Sequence, residues 1–363
     1  MSFKYLHLAV SVTSLVVSLV ACNTTTGTPD PPVYDPTPFT FELYGNASPP
    51  YIAADNPLTI QGVELGRMLF NEKALSAGSR QSCADCHVQR SGFSDPRTLS
   101  IGVDGLPGRR QAMPIFNTGY QPDILGPGFF WDGRAATLRE QALRPIQDPM
   151  EMHETLDNVV TKLTSMEKYR SQFVRAFNTQ TITPEYIGLA LEQFEHSLLS
   201  NNSKYDRAQR METTLTDREE RGKKLFFSEM SADGVQRGAE CFHCHGGSNF
   251  TNYKFMNNGL DNNAAFQDSG RYEVTKTLKD LATFKTPSLR NIAVTAPYMH
   301  DGRFKTLVEV IAHYNHEVKQ STTVNSALFL NLRTGGLGLR DDEVADLEAF
   351  LHTLTDSTFL GLK

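Results

Sequence analysis

Cys83-Ala84-Asp85-Cys86-His87 is the stretch whose reading decides the fold. Two thiols in this pattern, followed directly by His, are how haem is attached covalently in c-type cytochromes. The thiols bond to the haem edge, and His87 is held under the iron as its proximal nitrogen ligand. The pattern returns as Cys241-Phe242-His243-Cys244-His245. One such pentapeptide could arise by chance or as half a zinc site. Two of them use four of the 5 cysteines and leave only Cys22. The reading is two covalent haem c groups, on Cys83 and Cys86 and on Cys241 and Cys244, with His87 and His245 as iron ligands.

With 363 residues the chain has room for two ordinary domains. The net charge of −6 argues against a nucleic-acid partner, which would call for a basic face. The apolar fraction of 39% is low for a globular chain. Two haems compensate, since each is a large apolar plate around which short helices pack. At the N-terminus Lys4 and His7 precede an apolar run over 8–20, too short for a comfortable membrane span. Residues 1–21 therefore read as a signal peptide. It ends in Leu19-Val20-Ala21-Cys22, which resembles a bacterial lipobox; cleavage before Cys22 and lipid on its sulfur are expected, in preference to an incidental Cys. Either way the body is exported. The expected location is the periplasmic side of a bacterial membrane, the outer one, with membrane contact only through this anchor.

Residues 22–56 are rich in Thr and Pro, as in Asn23-Thr24-Thr25-Thr26 and Asp35-Pro36-Thr37-Pro38, and are expected to form a flexible tether. From Pro57 onward the chain repeats itself in order. Leu65-Gly66-Arg67-Met68-Leu69-Phe70 precedes the first haem motif, and Arg221-Gly222-Lys223-Lys224-Leu225-Phe226 the second. Gly92-Phe93-Ser94-Asp95 is answered by Asn249-Phe250-Thr251-Asn252, and Trp131-Asp132-Gly133-Arg134 by His300-Asp301-Gly302-Arg303. Each half ends in an amphipathic helix, one opened by Thr183-Pro184 and one starting near Asp341. The expected fold is mainly α, with long loops and little β. It comprises two tandem cytochrome c-like domains over 57–205 and 218–355, joined by a polar link through Asn201-Asn202-Ser203.

The copies differ where the chemistry should lie. Fourteen residues after His300 stands Tyr314, and at the same offset from Trp131 stands Pro145. If that helix edge faces the free side of the iron, Tyr314 can ligate the second haem, whereas Pro145 leaves the first haem an open position for peroxide. His313 and His316, and Met299 and Met256, are rival ligands for the second iron. Gln141, one helical turn before Pro145, shares its face. Glu151 follows closely, and a carboxylate there can move a proton between the oxygens of peroxide. Trp131, the only tryptophan, is either a core aromatic or an electron relay between the haems, and the relay is the preferred reading. His300 is expected to bond a propionate or the backbone.

These residues, with Lys285-Thr286-Pro287-Ser288-Leu289-Arg290-Asn291 and Pro297-Tyr298-Met299-His300-Asp301-Gly302, make the chain resemble the bacterial dihaem cytochrome c peroxidase and MauG superfamily. The resemblance implies two haem c domains, catalytic roles for Glu151, Gln141, Pro145 and Trp131, and a calcium ion held by Thr295, Pro297 and Gln111. Gln111 stands where the family has Asn. Other members carry a switching His on the loop after the first motif; that loop reads Ser100-Ile101-Gly102-Val103-Asp104-Gly105 here, with Val103 at the His position. Tyr314 without a switching His resembles MauG and the related MbnH enzymes, which use hydrogen peroxide to oxidise tryptophan in a secreted partner protein. The alternatives are a cytochrome c peroxidase fed by a small electron-donor protein and a non-catalytic dihaem electron carrier.

Overall fold

The structure, a computed structural model, describes residues 31–362 except 46, 122–127 and 234. The signal peptide, the lipobox and Cys22 lie outside the described residues. In chain order the helices are α1 (Ile60–Phe70), α2 (Leu138–Gln147), α3 (Leu156–Ser165), α4 (Glu167–Phe177), α5 (Pro184–Ser197), α6 (Lys204–Gln209), α7 (Asp217–Phe226), α8 (Phe242–His245), α9 (Tyr272–Thr275), α10 (Leu307–Ala312), α11 (Phe329–Thr334) and α12 (Asp341–His352). Sheet is limited to the antiparallel pair β1 (Phe255–Met256) and β2 (Phe284–Lys285), with Phe255 opposite Lys285. The mainly helical expectation holds.

Local chemistry sets the helix ends. Thr59 Oγ1 accepts from Gly62 N at 2.9 Å to open α1, and Thr183 Oγ1 accepts from Tyr186 N at 3.3 Å, with Pro184 at the first helical position of α5. Reciprocal capping boxes open α7, through Thr216 and Glu219, and α10, through Thr306 and Glu309.

Two cores follow, built by one rule. α1 crosses α5 at Gly66, where a Cβ would lie 2.0 Å from the carbonyl oxygen of Ala190; α7 crosses α12 at Gly222, where a Cβ would lie 1.9 Å from that of Asp346. The missing side chains let the backbones touch, and one turn later Phe70 packs on Phe194 and Phe226 on Phe350, with ring centroids 5.1 and 5.2 Å apart. Phe226 and Phe350 are fully buried, each contributing roughly 1.5–3 kcal/mol.

The repeat extends to loop conformation. Left-handed backbone recurs at Phe93 and Phe250, at Asn117 and Asn291, and at Phe130 and Met299. Asn117 N donates to Leu198 O and Asn291 N to Leu354 O, both at 2.9 Å. The side-chain oxygens of these asparagines accept from Ser200 N and Asp356 N, both at 2.8 Å. The two arrangements join, because Asn291 Nδ2 donates to Ser200 Oγ at 2.9 Å and Asn117 Nδ2 to Asn249 Oδ1 at 3.0 Å.

One expectation needs correction. Residues 32–56 belong to the same compact unit as the rest and do not form a free tether. Phe39 N donates to Leu58 O at 3.0 Å, Ile60 N to Thr37 O at 2.9 Å, and buried Asn56 reaches Glu192 at 2.6 Å. Backbone pairing outweighs the composition. In the polar link near Asn201, Ser200 and Ser203 are fully buried, the former within the asparagine network and the latter capping α6.

Gly66→Ala and Gly222→Ala should each cost about 1–3 kcal/mol, the range for overpacking a tight contact. Urea unfolding of the haem-loaded protein reads this, and an unchanged midpoint in either variant would contradict the close crossing.

Candidate functional site

The first haem motif is a tight turn. Cys86 N and His87 N both donate to Cys83 O, at 3.1 and 2.9 Å, and the Asp85 carboxylate fastens Ser82 N at 2.8 Å. His87 Nδ1 donates to Phe93 O at 2.8 Å, and burial lowers its pKa. The ring is therefore neutral, with Nε2 left as the metal-facing atom. The second motif matches it: His245 N donates to Cys241 O at 2.8 Å and His245 Nδ1 to Phe250 O at 3.0 Å, and burial pushes the imidazole down to about 4.

Cys83, Cys86 and His87 open into a cavity of about 340 Å³, within the range of cofactor pockets. Its wall carries Trp131, Gln141, Pro145 and Glu151. An apolar plate bonded at the two thiols and seated on His87 fits this donor set, with Pro145 and Glu151 on the same wall. Thr137 caps α2, which brings Gln141 and Pro145 onto that wall; Pro145 has no N–H to donate to Gln141 O.

Glu151 is half-buried. Burial raises its pKa to about 7; Asp148 pushes the same way and Arg134 opposes it. A second, open cleft lined by Arg134, Arg144 and Asp148 shares Pro145 and Glu151 with the cavity, so Glu151 stands between cavity and surface. Its main chain is pinned by the loop that reads Val103 in place of a switching His: Val103 N donates to Glu151 O at 2.7 Å, and a Cβ on Gly102 would lie 2.2 Å from Met150 O.

Trp131 is buried where the halves meet. Its Nε1 donates to Gln111 O at 2.8 Å, and Lys285 N donates to its carbonyl at 2.8 Å. His300, its counterpart, stacks on Phe284 at 3.7 Å, and its carbonyl accepts from Gln111 N at 2.8 Å.

On the second side, α10 runs into a π-helical turn, His313–Glu317, which carries Tyr314. Such turns collect at functional sites. Burial raises the phenol's pKa, Asn258 lowers it, and Cys244 and Cys241 raise it further; Tyr314 and Cys241 pack against the same apolar core. Of its rivals, His313 spends Nε2 on Asn258 O at 3.0 Å, His316 is exposed, and Met256 Sδ takes Asn325 Nδ2 at 2.6 Å. Tyr314 OH and Met299 Sδ share Asn258 Nδ2, at 3.4 and 3.3 Å.

Of the residues expected to hold calcium, Gln111 is buried, and its Nε2 donates to Asp95 O at 3.2 Å, a bond that does not use its Oε1.

Three features escaped the sequence reading. The Phe93 and Phe250 carbonyls orient the imidazoles; the repeated Phe after each motif was the available signal. Buried Glu195 lines the first cavity with Oε2 unpartnered among the described residues, and burial pushes it up to about 8, so it is neutral at pH 7. Buried Lys285 donates to Gln121 Oε1 at 2.7 Å, and burial takes it down to about 7.

Residues 60–214 match the family described as di-haem cytochrome c peroxidase. The methylamine utilization protein MauG of Methylophilus methylotrophus is 32% identical over 302 residues, covering 82% of this chain and 84% of that protein. The cytochrome c551 peroxidase of Nitrosomonas europaea is 33% identical over 310 residues, covering 84% and 83%. A solved MauG-like protein associated with microbial copper homeostasis superposes with a TM-score of 0.78 at 32% identity, covering 89% of this chain and 97% of that one.

A base at Glu151 must be ionised to take a proton from peroxide. The rate of the peroxide reaction should therefore rise with pH through a midpoint of about 7. Stopped-flow pH profiles should show that Asp148→Asn moves this midpoint down, while Glu151→Gln abolishes the limb and slows the reaction by about 10²–10⁴-fold. An unaltered profile in Glu151→Gln would remove Glu151 from the chemistry.

Proposed function

The chain belongs to the di-haem cytochrome c peroxidase family, and we propose that it uses hydrogen peroxide to oxidise a secreted partner protein, at tryptophan, in the manner of the MauG branch. The carrying observation is the asymmetry of the two sites: Tyr314 packs on the apolar core that also takes Cys241, while Pro145, at the same offset in the first half, lines the first cavity. When bound, the haem pair supplies two-electron chemistry with peroxide, and a phenolate favours its oxidised states. The protein's own residues do the rest. Peroxide enters by the cleft beside Arg134 and Arg144. Glu151, poised near neutrality, takes the proton from one oxygen and returns it to the other. Gln141 orients the bound oxidant, and Trp131, wedged between the halves with its N–H on Gln111 O, couples the first site to the second.

Relatives named as cytochrome c peroxidases are as similar as those named MauG, which keeps peroxide removal with electrons from a small redox protein as the second reading. We place the enzyme, with Cys22 lipidated, on the periplasmic face of a bacterial outer membrane. Among the described residues no helix is long and apolar enough to cross a membrane. The proposal includes a calcium ion held by Gln111, Thr295 and Pro297.

Mixing diferric protein with peroxide and no reductant should give a long-lived oxidised spectrum. Reaction only after prior reduction would favour the second reading. Tyr314→Phe should alter the second haem's spectrum; an unchanged one would assign the ligand elsewhere, with Met299 next. Dialysis against a chelator should lower the melting temperature and added calcium should restore it, whereas indifference to both would remove the ion.

A further inference from the structure

Phe93 and Phe250 hold left-handed backbone, φ 54° and 52°, which a bulky residue keeps only where its surroundings enforce it. In each case the turn aims the carbonyl at a proximal imidazole, His87 or His245. Each packs on a ring of its own half, Phe70 at 6.3 Å from Phe93 and Phe226 at 5.9 Å from Phe250, and each also meets a ring from the opposite half of the chain. Phe93 packs against Phe359 at 5.6 Å, in the segment that follows α12. Phe359 also packs on Phe116 at 5.5 Å, and its carbonyl accepts from Gln89 Nε2 at 2.9 Å, within the very turn between His87 and Phe93. Phe250 packs against Tyr205 at 5.3 Å, in α6, which follows α5. Tyr205 also meets Phe350 at 5.6 Å, and its N–H donates to Thr353 O at 2.9 Å. Next to it Asp206 holds buried Arg290 at 2.8 Å, and Arg290 reaches Ser248 O at 2.7 Å, in the turn between His245 and Phe250.

We propose that Phe359 and Tyr205 are crosswise positioning residues: the ring following each terminal helix clamps the turn that orients the proximal histidine of the other half. Phe359 sets the Phe93 carbonyl on His87, and Tyr205 sets the Phe250 carbonyl on His245. A firm Nδ1–H···O=C bond makes Nε2 the stronger donor to iron and favours the ferric state. Releasing the clamp loosens that bond and moves the potential of that haem in the positive direction. Each site is thus tuned by the segment that closes the opposite module. The inference rests on His87 and His245 being the axial ligands.

The test uses the full chain loaded with haem, titrated potentiometrically, with the two haems resolved by their separate EPR signals. Phe359→Ala should shift the midpoint of the His87 haem positively and leave the His245 haem in place, and Tyr205→Ala should do the reverse. Phe359→Leu, which keeps apolar bulk, should give a smaller shift in the same haem, and it serves as the reading if the alanine variant fails to load haem. A shift at the haem of the variant's own half, equal shifts at both, or none in the folded protein would overturn the clamp. His87→Gly is run beside them; an unchanged first-haem spectrum there would overturn the ligand assignment instead.

Discussion

Everything in this protein is arranged around the hydrogen bond from a buried imidazole Nδ1 to a main-chain carbonyl, made once at His87 and again at His245. That bond decides the tautomer, and the tautomer decides which nitrogen can face a metal. The bond goes with the turn that follows each haem motif, in which a left-handed Phe presents its carbonyl to the imidazole. The turn then needs a core on which to rest, and the glycine crossings of α1 with α5 and α7 with α12 supply it. At the first site a haem is the natural filling of a cavity built from two half-buried thiols, an oriented imidazole and apolar wall.

Duplication explains the architecture, and divergence explains the chemistry. The copies keep their caps, their crossing glycines and their asparagine anchors. They differ on the wall that looks down on each iron. In the first copy α2 carries Gln141 and Pro145 toward a cavity that reaches the surface past Glu151. In the second, the helix widens into a π turn that lodges a phenol among apolar side chains. The same burial acts in opposite chemical directions: it brings the Glu151 carboxyl to the pH at which a proton can be both taken and given, and it pushes the Tyr314 phenol upward in the absence of a metal.

Much of this was legible in the sequence, because local patterns carried it. The haem motifs, the Thr183-Pro184 helix start and the paired DGR segments all depend on neighbours a few residues apart. The Pro145 and Tyr314 contrast was legible because the chain contains its own comparison. What stayed hidden depends on partners far along the chain. Residues 32–56 look disordered by composition but pair with the backbone near Thr59. Ser203 looks like a linker residue but is buried as a helix cap. Nothing around Lys285 announces an amine drawn into the interior by Gln121, 164 residues away. Glu195 reads as an ordinary helix residue until the cavity beside it is seen.

The asparagine network has a consequence for how the molecule comes apart. Ser200 serves Asn117 with its N–H and Asn291 with its hydroxyl, so one serine belongs to both modules at once. Separating the modules there would leave each with polar groups whose present partners lie in the other. A duplicated module of this kind could stand alone only if it kept its own polar partners, and here one serine is shared, so the packing of each half is coupled to that of the other.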